Sequence, residues 1–275
     1  MSGGAGELPE AGGLAYREAV PDGEPSGPPV LCLHGFPETS YMWNDLLPAV
    51  AGAGHRILAP DLPGSGRSPA DPPNTWERLV DAVERFVVAL ELDPVVLVVH
   101  DWGGLIGLRW ACVHPERVAA MVISDTGFFP DGRWSGMAEG LRTPGTGEEM
   151  LTGMNRESFG QLMAASSKGM DAETVDEYWL ALATPEGQAA QLEMYRSGDM
   201  EKIAPYDGKL GEMAVPTLLL WGEDDPFAPV TGAHRFQREI PGAELEVIAG
   251  SGHFVYADAP AECAAAITAF LASLR

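Results

Sequence analysis

The chain has 275 residues, 45% of them hydrophobic, and sets 17 Lys and Arg against 40 Asp and Glu for a formal net charge of -23. That length suits one large globular domain with an insertion, and the composition argues against disorder beyond the first residues. So acidic a surface repels nucleic-acid phosphates and anionic lipid headgroups, which argues against either as a partner. It also disfavours small carboxylate substrates unless a local basic pocket overrides the field, whereas a small apolar substrate is compatible with it.

Residues 1–10 hold no basic residue and no apolar run, so neither a signal nor a transit peptide is expected, and no stretch approaches bilayer-spanning length. Cys32, Cys112 and Cys263 are odd in number and lack CxxC spacing, which reads as reduced, buried filler in a cytoplasmic protein. No phosphate loop, repeat or metal cluster is visible, so neither a cofactor nor a metal is expected. The acidic surface opposes self-association at low salt, although a hydrophobic lid face is able to pair, leaving monomer or homodimer.

In chain order, residues 14–20 predict an edge strand. Residues 29–33 predict a buried strand opening onto the HGFP loop at 34–37, where His34 reads as a hydrogen-bonding brace. Apolar residues at helical spacing follow over 40–50, then a strand over 56–59, a turn-rich loop over 61–68, and an amphipathic helix over 75–90 capped by Thr75 or Asn74. Residues 95–99 predict a buried strand, 103–113 a helix and 119–124 a further strand. Between 127 and 211 the alternation lapses: no strand is convincing, and helices are expected over 173–183 and 185–195. Strands return over 215–221 and 244–248, with helices over 229–239 and 259–274. The pattern is α/β with a mostly parallel central sheet flanked by helices, divided as core 1–126, helical cap 127–211 and core 212–275. Ligand sites in such sheets lie beyond the carboxyl ends of the strands.

The stretch VHDWGG at 99–104 runs from a buried strand into a glycine-bounded turn with Asp101 at its apex. A strand-to-helix elbow pushes the apical side chain out over the end of the sheet, and small neighbours permit the sharp turn. Serine attacking a saturated carbon leaves an ether that water does not cleave; a carboxylate leaves an ester that water does. Asp101 therefore points to displacement at an alkyl carbon. His100, beside it, is expected to point the other way along the strand and to be packed.

Four linked motifs, HGFP at 34–37, VHDWGG at 99–104, GEDD at 222–225 and SGH at 251–253, each follow a predicted strand. In this order they resemble the α/β-hydrolase fold family over nearly the whole chain from His34 onward. HDWGG with an aspartate is similar to the branch containing epoxide hydrolases and haloalkane dehalogenases, and HGFPETSYMW leans toward the epoxide hydrolases. The resemblance implies Asp101 as nucleophile, His253 as the base that activates water, and Asp225 as the orienting acid, with Asp125 the competing acid. It makes the N–H groups of Phe36 and Trp102 the oxyanion hole.

An epoxide also needs a proton donor, which two cap tyrosines supply in the family; the segment 192–197 resembles one that carries such a tyrosine, which implies Tyr195 as donor. No second tyrosine stands in the first half of the cap, where Phe159 occupies a comparable helical place, and Tyr178 is the substitute. A dehalogenase needs two N–H donors around the halide. Trp102 meets the first requirement, position 36 is phenylalanine, and Trp134 and Trp179 are the candidates for the second indole. The reading is a cofactor-independent hydrolase opening epoxides to vicinal diols through an ester on Asp101. A haloalkane dehalogenase with the same triad is the alternative, and a non-catalytic ligand-binding protein of this fold the second.

Overall fold

The computed structural model describes residues 7–134 and 136–274. Strands β1 (Glu10–Ala11) and β2 (Leu14–Ala19) open the chain, followed by β3 (Val30–Leu33), α1 (Leu46–Gly52), β4 (Ile57–Pro60), α2 (Trp76–Ala89), β5 (Val95–His100), α3 (Trp102–Val113) and β6 (Val118–Ser124). The next elements are all helical: α4 (Gly136–Arg142), α5 (Thr146–Thr152), α6 (Arg156–Ser166), α7 (Ala172–Trp179), α8 (Pro185–Ser197) and α9 (Lys209–Glu212). The chain then returns through β7 (Thr217–Gly222), α10 (Thr231–Glu239), β8 (Glu244–Ile248), α11 (Val255–Asp258) and α12 (Pro260–Ser273).

The sheet has eight strands in the order β1-β2-β4-β3-β5-β6-β7-β8, antiparallel at β1-β2 and β2-β4 and parallel from β4 onward. β5 is buried at every position, because helices cover both faces of a parallel sheet and leave no solvent side for polar alternation. Strand progression reverses between the neighbours β3 and β5, which opens a crevice beyond their carboxyl ends.

The amphipathic reading of α2 holds: Trp76, Leu79, Val80, Val83, Phe86 and Val87 are buried at helical spacing. Thr75 occupies its N-cap without a side-chain bond, while the Asn74 amide instead donates to the carbonyls of Pro63 and Ala190. The helix expected over 40–50 is split into a 3₁₀ turn at Ser40–Trp43 and α1, because Thr39 caps the first turn on its own. β1 and the helices α4, α5, α6, α9 and α11 escaped the sequence reading. In α6 the signal is a cap: Asn155 Oδ1 accepts from the N–H groups of Glu157 and Ser158.

The helical segment rests on the loop after β4 through polar contacts. Arg67 donates from both terminal nitrogens to the Glu177 carboxylate, at 2.6 and 2.8 Å, and the Gln191 amide donates to Gly64 O at 3.0 Å. Cys32, Cys112 and Cys263 are free and buried. Among the described residues, no helix is long and apolar enough to cross a membrane.

Candidate active site

Five neighbouring strands, β3, β5, β6, β7 and β8, end at one place, so loops far apart in sequence converge there. Asp101 sits at the apex between β5 and α3 with φ 47 and ψ -120, a conformation most side chains avoid. Two glycines make the elbow fit. A Cβ on Gly103 would lie 2.1 Å from Leu33 O, and one on Gly35 would lie 2.4 Å from Asp101 Oδ1, so any larger residue collides with backbone or with the carboxylate. The Thr126 hydroxyl holds the turn from the next strand by donating to Asp101 O at 2.7 Å.

The Asp101 carboxylate is held from two sides. The Phe36 N–H donates to Oδ1 at 2.8 Å, and His253 Nε2 stands 3.6 Å from Oδ2. The other ring nitrogen of His253 contacts Asp225 Oδ2 at 2.8 Å, and Asp225 Oδ1 accepts the N–H groups of Phe227 and Ala228. Burial would raise the Asp225 carboxyl, but the imidazolium charge and these hydrogen bonds outweigh it and hold the group below its ordinary range. Against the burial that would lower it, the charge of Asp225 and the contact with Asp101 push the His253 imidazole well above the ordinary histidine value. Asp101 is correspondingly lowered, burial being outweighed by His253.

Asp125, at the end of β6, lies apart from His253. Its Oδ1 accepts the Gly222 N–H at 3.0 Å, and Oδ2 is buried without a hydrogen bond. Burial first, then the charge of Asp225, raise its carboxyl well above the ordinary range, so Asp125 is the member of the pair that keeps a proton.

His34 braces the loop as expected: Leu62 N–H donates to its Nε2 at 2.9 Å, so the proton is on Nδ1, which donates to Gly35 O. The expectation for His100 needs correction. It is fully buried, but its ring lies 4.9 Å from that of His253 and between two acids, with Nε2 3.5 Å from Glu38 Oε2 and Nδ1 3.9 Å from Asp125 Oδ2. Burial lowers its pKa to about 3, so it is neutral, and burial raises that of Glu38 to about 8. Glu38 escaped the sequence reading, although it stands within HGFPE. The Gly35 N–H bond to its Oε2 shows why an acid belongs in that loop.

A cavity of about 290 Å³ opens above Asp101. Trp102, Trp134, Phe159 and Tyr195 line it, together with Met137, Met150, Met154, Met163 and Met200. Tyr178 and Trp179 do not: Tyr178 is buried on α7, and Trp179 packs on Phe159 at 5.4 Å between ring centres. The period-3.6 spacing that places two residues on one helix does not say which face meets the cavity. Tyr195 meets Phe36 and Trp102 edge to face at 5.1 and 5.2 Å, and burial keeps its hydroxyl protonated. Trp134 stacks on Trp102 at 5.3 Å, but its indole N–H is donated to Gly198 O. Trp102 Nε1 is buried and makes no well-formed hydrogen bond, with the Tyr195 hydroxyl near enough to interact with it; Trp43 Nε1 is also buried without a hydrogen bond but lies away from the cavity wall. Among the described residues no group of His, Cys, Asp and Glu is placed to hold a metal ion.

An aspartate at a strand-to-helix elbow, an acid and histidine on later loops, and a helical segment inserted between β6 and β7 define an enzyme-type α/β architecture. The chain belongs to the alpha/beta hydrolase fold family, which it matches over residues 28–260. It is 34% identical over 277 residues to a haloalkane dehalogenase of Sphingobium indicum, covering 92% of this chain and 91% of that protein. Identity to a haloalkane dehalogenase of Mycobacterium marinum is 32% over 262 residues, covering 89% and 85% respectively. The crystal structure of a haloalkane dehalogenase from Agrobacterium tumefaciens C58 superposes with a TM-score of 0.80 at 26% identity, covering 98% of this chain and 96% of that one.

Proposed function

We propose that the protein is a hydrolase that removes halide from alkyl carbon. The observation that carries this reading is Trp102 Nε1, a buried donor on the cavity wall directly after Asp101 that makes no well-formed hydrogen bond and has only the Tyr195 hydroxyl beside it. A buried N–H without a well-formed hydrogen bond costs about 1–3 kcal/mol, and a departing halide supplies the acceptor. The relatives named haloalkane dehalogenase support the same chemistry rather than the epoxide opening toward which HGFPETSYMW leans.

In this mechanism Asp101 Oδ2 attacks the carbon opposite the carbon–halogen bond, and the halide leaves with the bonding pair toward Trp102 Nε1. The Tyr195 hydroxyl is the second donor, since Phe36 has none and the Trp134 N–H is engaged. The resulting ester cancels the charge on Asp101, which removes one of the influences that hold His253 protonated. The imidazolium then releases its proton to solvent, and the neutral imidazole takes a proton from a water molecule as that water attacks the ester carbonyl. The Phe36 N–H already lies at Asp101 Oδ1, and with the Trp102 N–H it stabilises the oxyanion by on the order of 3 kcal/mol per donor. Asp225 orients the ring and balances its charge. One water and one alkyl halide become an alcohol, a proton and a halide ion.

Tyr195 favours a second reading, epoxide opening with a single proton donor, because its protonated hydroxyl lies in the cavity. Intact-mass spectrometry of His253→Gln after exposure to a 1-bromoalkane and, separately, to a styrene-oxide-like epoxide separates the two. Without the base the ester accumulates. An alkyl adduct on Asp101 with bromide released is the expected result, an adduct of whole-epoxide mass moves the assignment to the epoxide hydrolase, and no adduct from either removes Asp101 as nucleophile.

A further inference from the structure

We propose that Arg133 makes the mouth of the cavity a carboxylate subsite, and that the substrates are haloalkanoates with the halogen at one end and the acid at the other. The inference rests on the dehalogenase reading and deepens it. With 40 acidic residues against 17 basic ones, basic side chains here find partners readily. Among the described lysines and arginines, only the side chains of Arg133 and Arg238 make no hydrogen bond, ion pair or ring contact. Arg238 sits exposed on α10, away from the cavity wall, whereas Arg133 is, among the described residues, the one arginine or lysine in that wall, His253 being at its inner end beside Asp101.

The position of Arg133 gives the cavity a direction. Its exposed lining residues, Arg133 on the loop before α4, Leu162 on α6, and Phe227, Pro229 and Thr231 leading into α10, mark the mouth. Asp101 and Asp125 stand at the inner end, and methionines line the wall. A molecule with an apolar shaft and an anionic tail is repelled by Asp101 when it enters tail first. Halogen first, its tail is left near an unpaired guanidinium, which matches a carboxylate in shape and charge. The net charge of -23 does not override this contact. Distant surface charges are screened over about 8 Å at physiological ionic strength, while a contact pair is screened far less. Methionine side chains adapt to alkyl chains of differing length, so the anion at the mouth, rather than the shaft, sets the register.

The test compares 6-bromohexanoate with its methyl ester, and each with 1-bromohexane, in the intact protein and in Arg133→Gln, following bromide release. The expected result is a fall of about fivefold in the acid-to-ester ratio of kcat/KM in Arg133→Gln, located in KM. In the wild type the same ratio falls as salt is raised from about 50 to about 500 mM. A ratio that is the same in both proteins, or indifferent to salt in the wild type, overturns the subsite. Should the ester and bromohexane still release bromide, the dehalogenase reading stands without it. No bromide from any of the three overturns both.

Discussion

Asp125 and Asp225 end neighbouring strands, yet only Asp225 reaches the imidazole, and burial makes the other a neutral neighbour. Removing the two carboxylates therefore has unequal effects. Asp225→Asn is expected to lower kcat by about 10⁴-fold, since the ring loses both its orientation and its counter-charge. Asp125→Asn replaces one neutral acceptor by another toward the Gly222 N–H and is expected to keep kcat within about threefold. Steady-state halide release on both variants checks this, and equal losses would make the two acids interchangeable.

Glu38 supports a second prediction at the same scale. Its pKa moves from 4.5 to about 8 through burial, so its contribution to stability is complete below 4.5 and is lost as pH rises to about 8. Glu38→Gln removes that dependence. Thermal melts at about pH 5 and pH 8 should show the variant losing less stability than the wild type over this interval, a difference of a few kcal/mol at most. Parallel losses would mean that Glu38 ionises as it does in water.

At the scale of elements, the elbow between β5 and α3 is the most constrained junction. Gly103 opens α3 against the end of β3, where a Cβ would lie 2.1 Å from the Leu33 carbonyl. Gly103→Ala must push two elements apart and is expected to cost more than about 3 kcal/mol by urea denaturation. Gly127→Ala, where nothing lies within 4 Å of the added Cβ, should change stability by less than about 0.5 kcal/mol. The same junction explains why the elbow was legible from VHDWGG: its geometry depends on a few adjacent residues. The helices α4, α5 and α6 were not, because they are short, carry few apolar residues at regular spacing, and are held by caps and by packing on other elements.

For the whole molecule, charge is the dominant feature. A net charge of -23 on one compact chain favours expansion through self-repulsion, and dissolved salt screens it. Raising sodium chloride from about 20 to about 300 mM is expected to raise the melting temperature by several degrees. An unchanged or lower melting temperature would show that local pairs such as Arg67–Glu177, which salt weakens, outweigh the long-range repulsion.

The amino-acid sequence by itself determined the α/β alternation, the order of elbow aspartate, insertion, acid and histidine, and the apical place of Asp101. Each of these depends on periodicity or on turns a few residues long. Tertiary structure decided what depends on distance between separate loops: that Asp225 rather than Asp125 meets His253, and that His100 lies beside His253 between Glu38 and Asp125. It also decided that Tyr195 faces the cavity while Tyr178 does not, and that Gly198 engages the Trp134 N–H while that of Trp102 is left beside the Tyr195 hydroxyl. The reason is physical. Turn geometry is set by neighbours in the chain, whereas the direction of a side chain across an interface is set by packing against residues dozens of positions away.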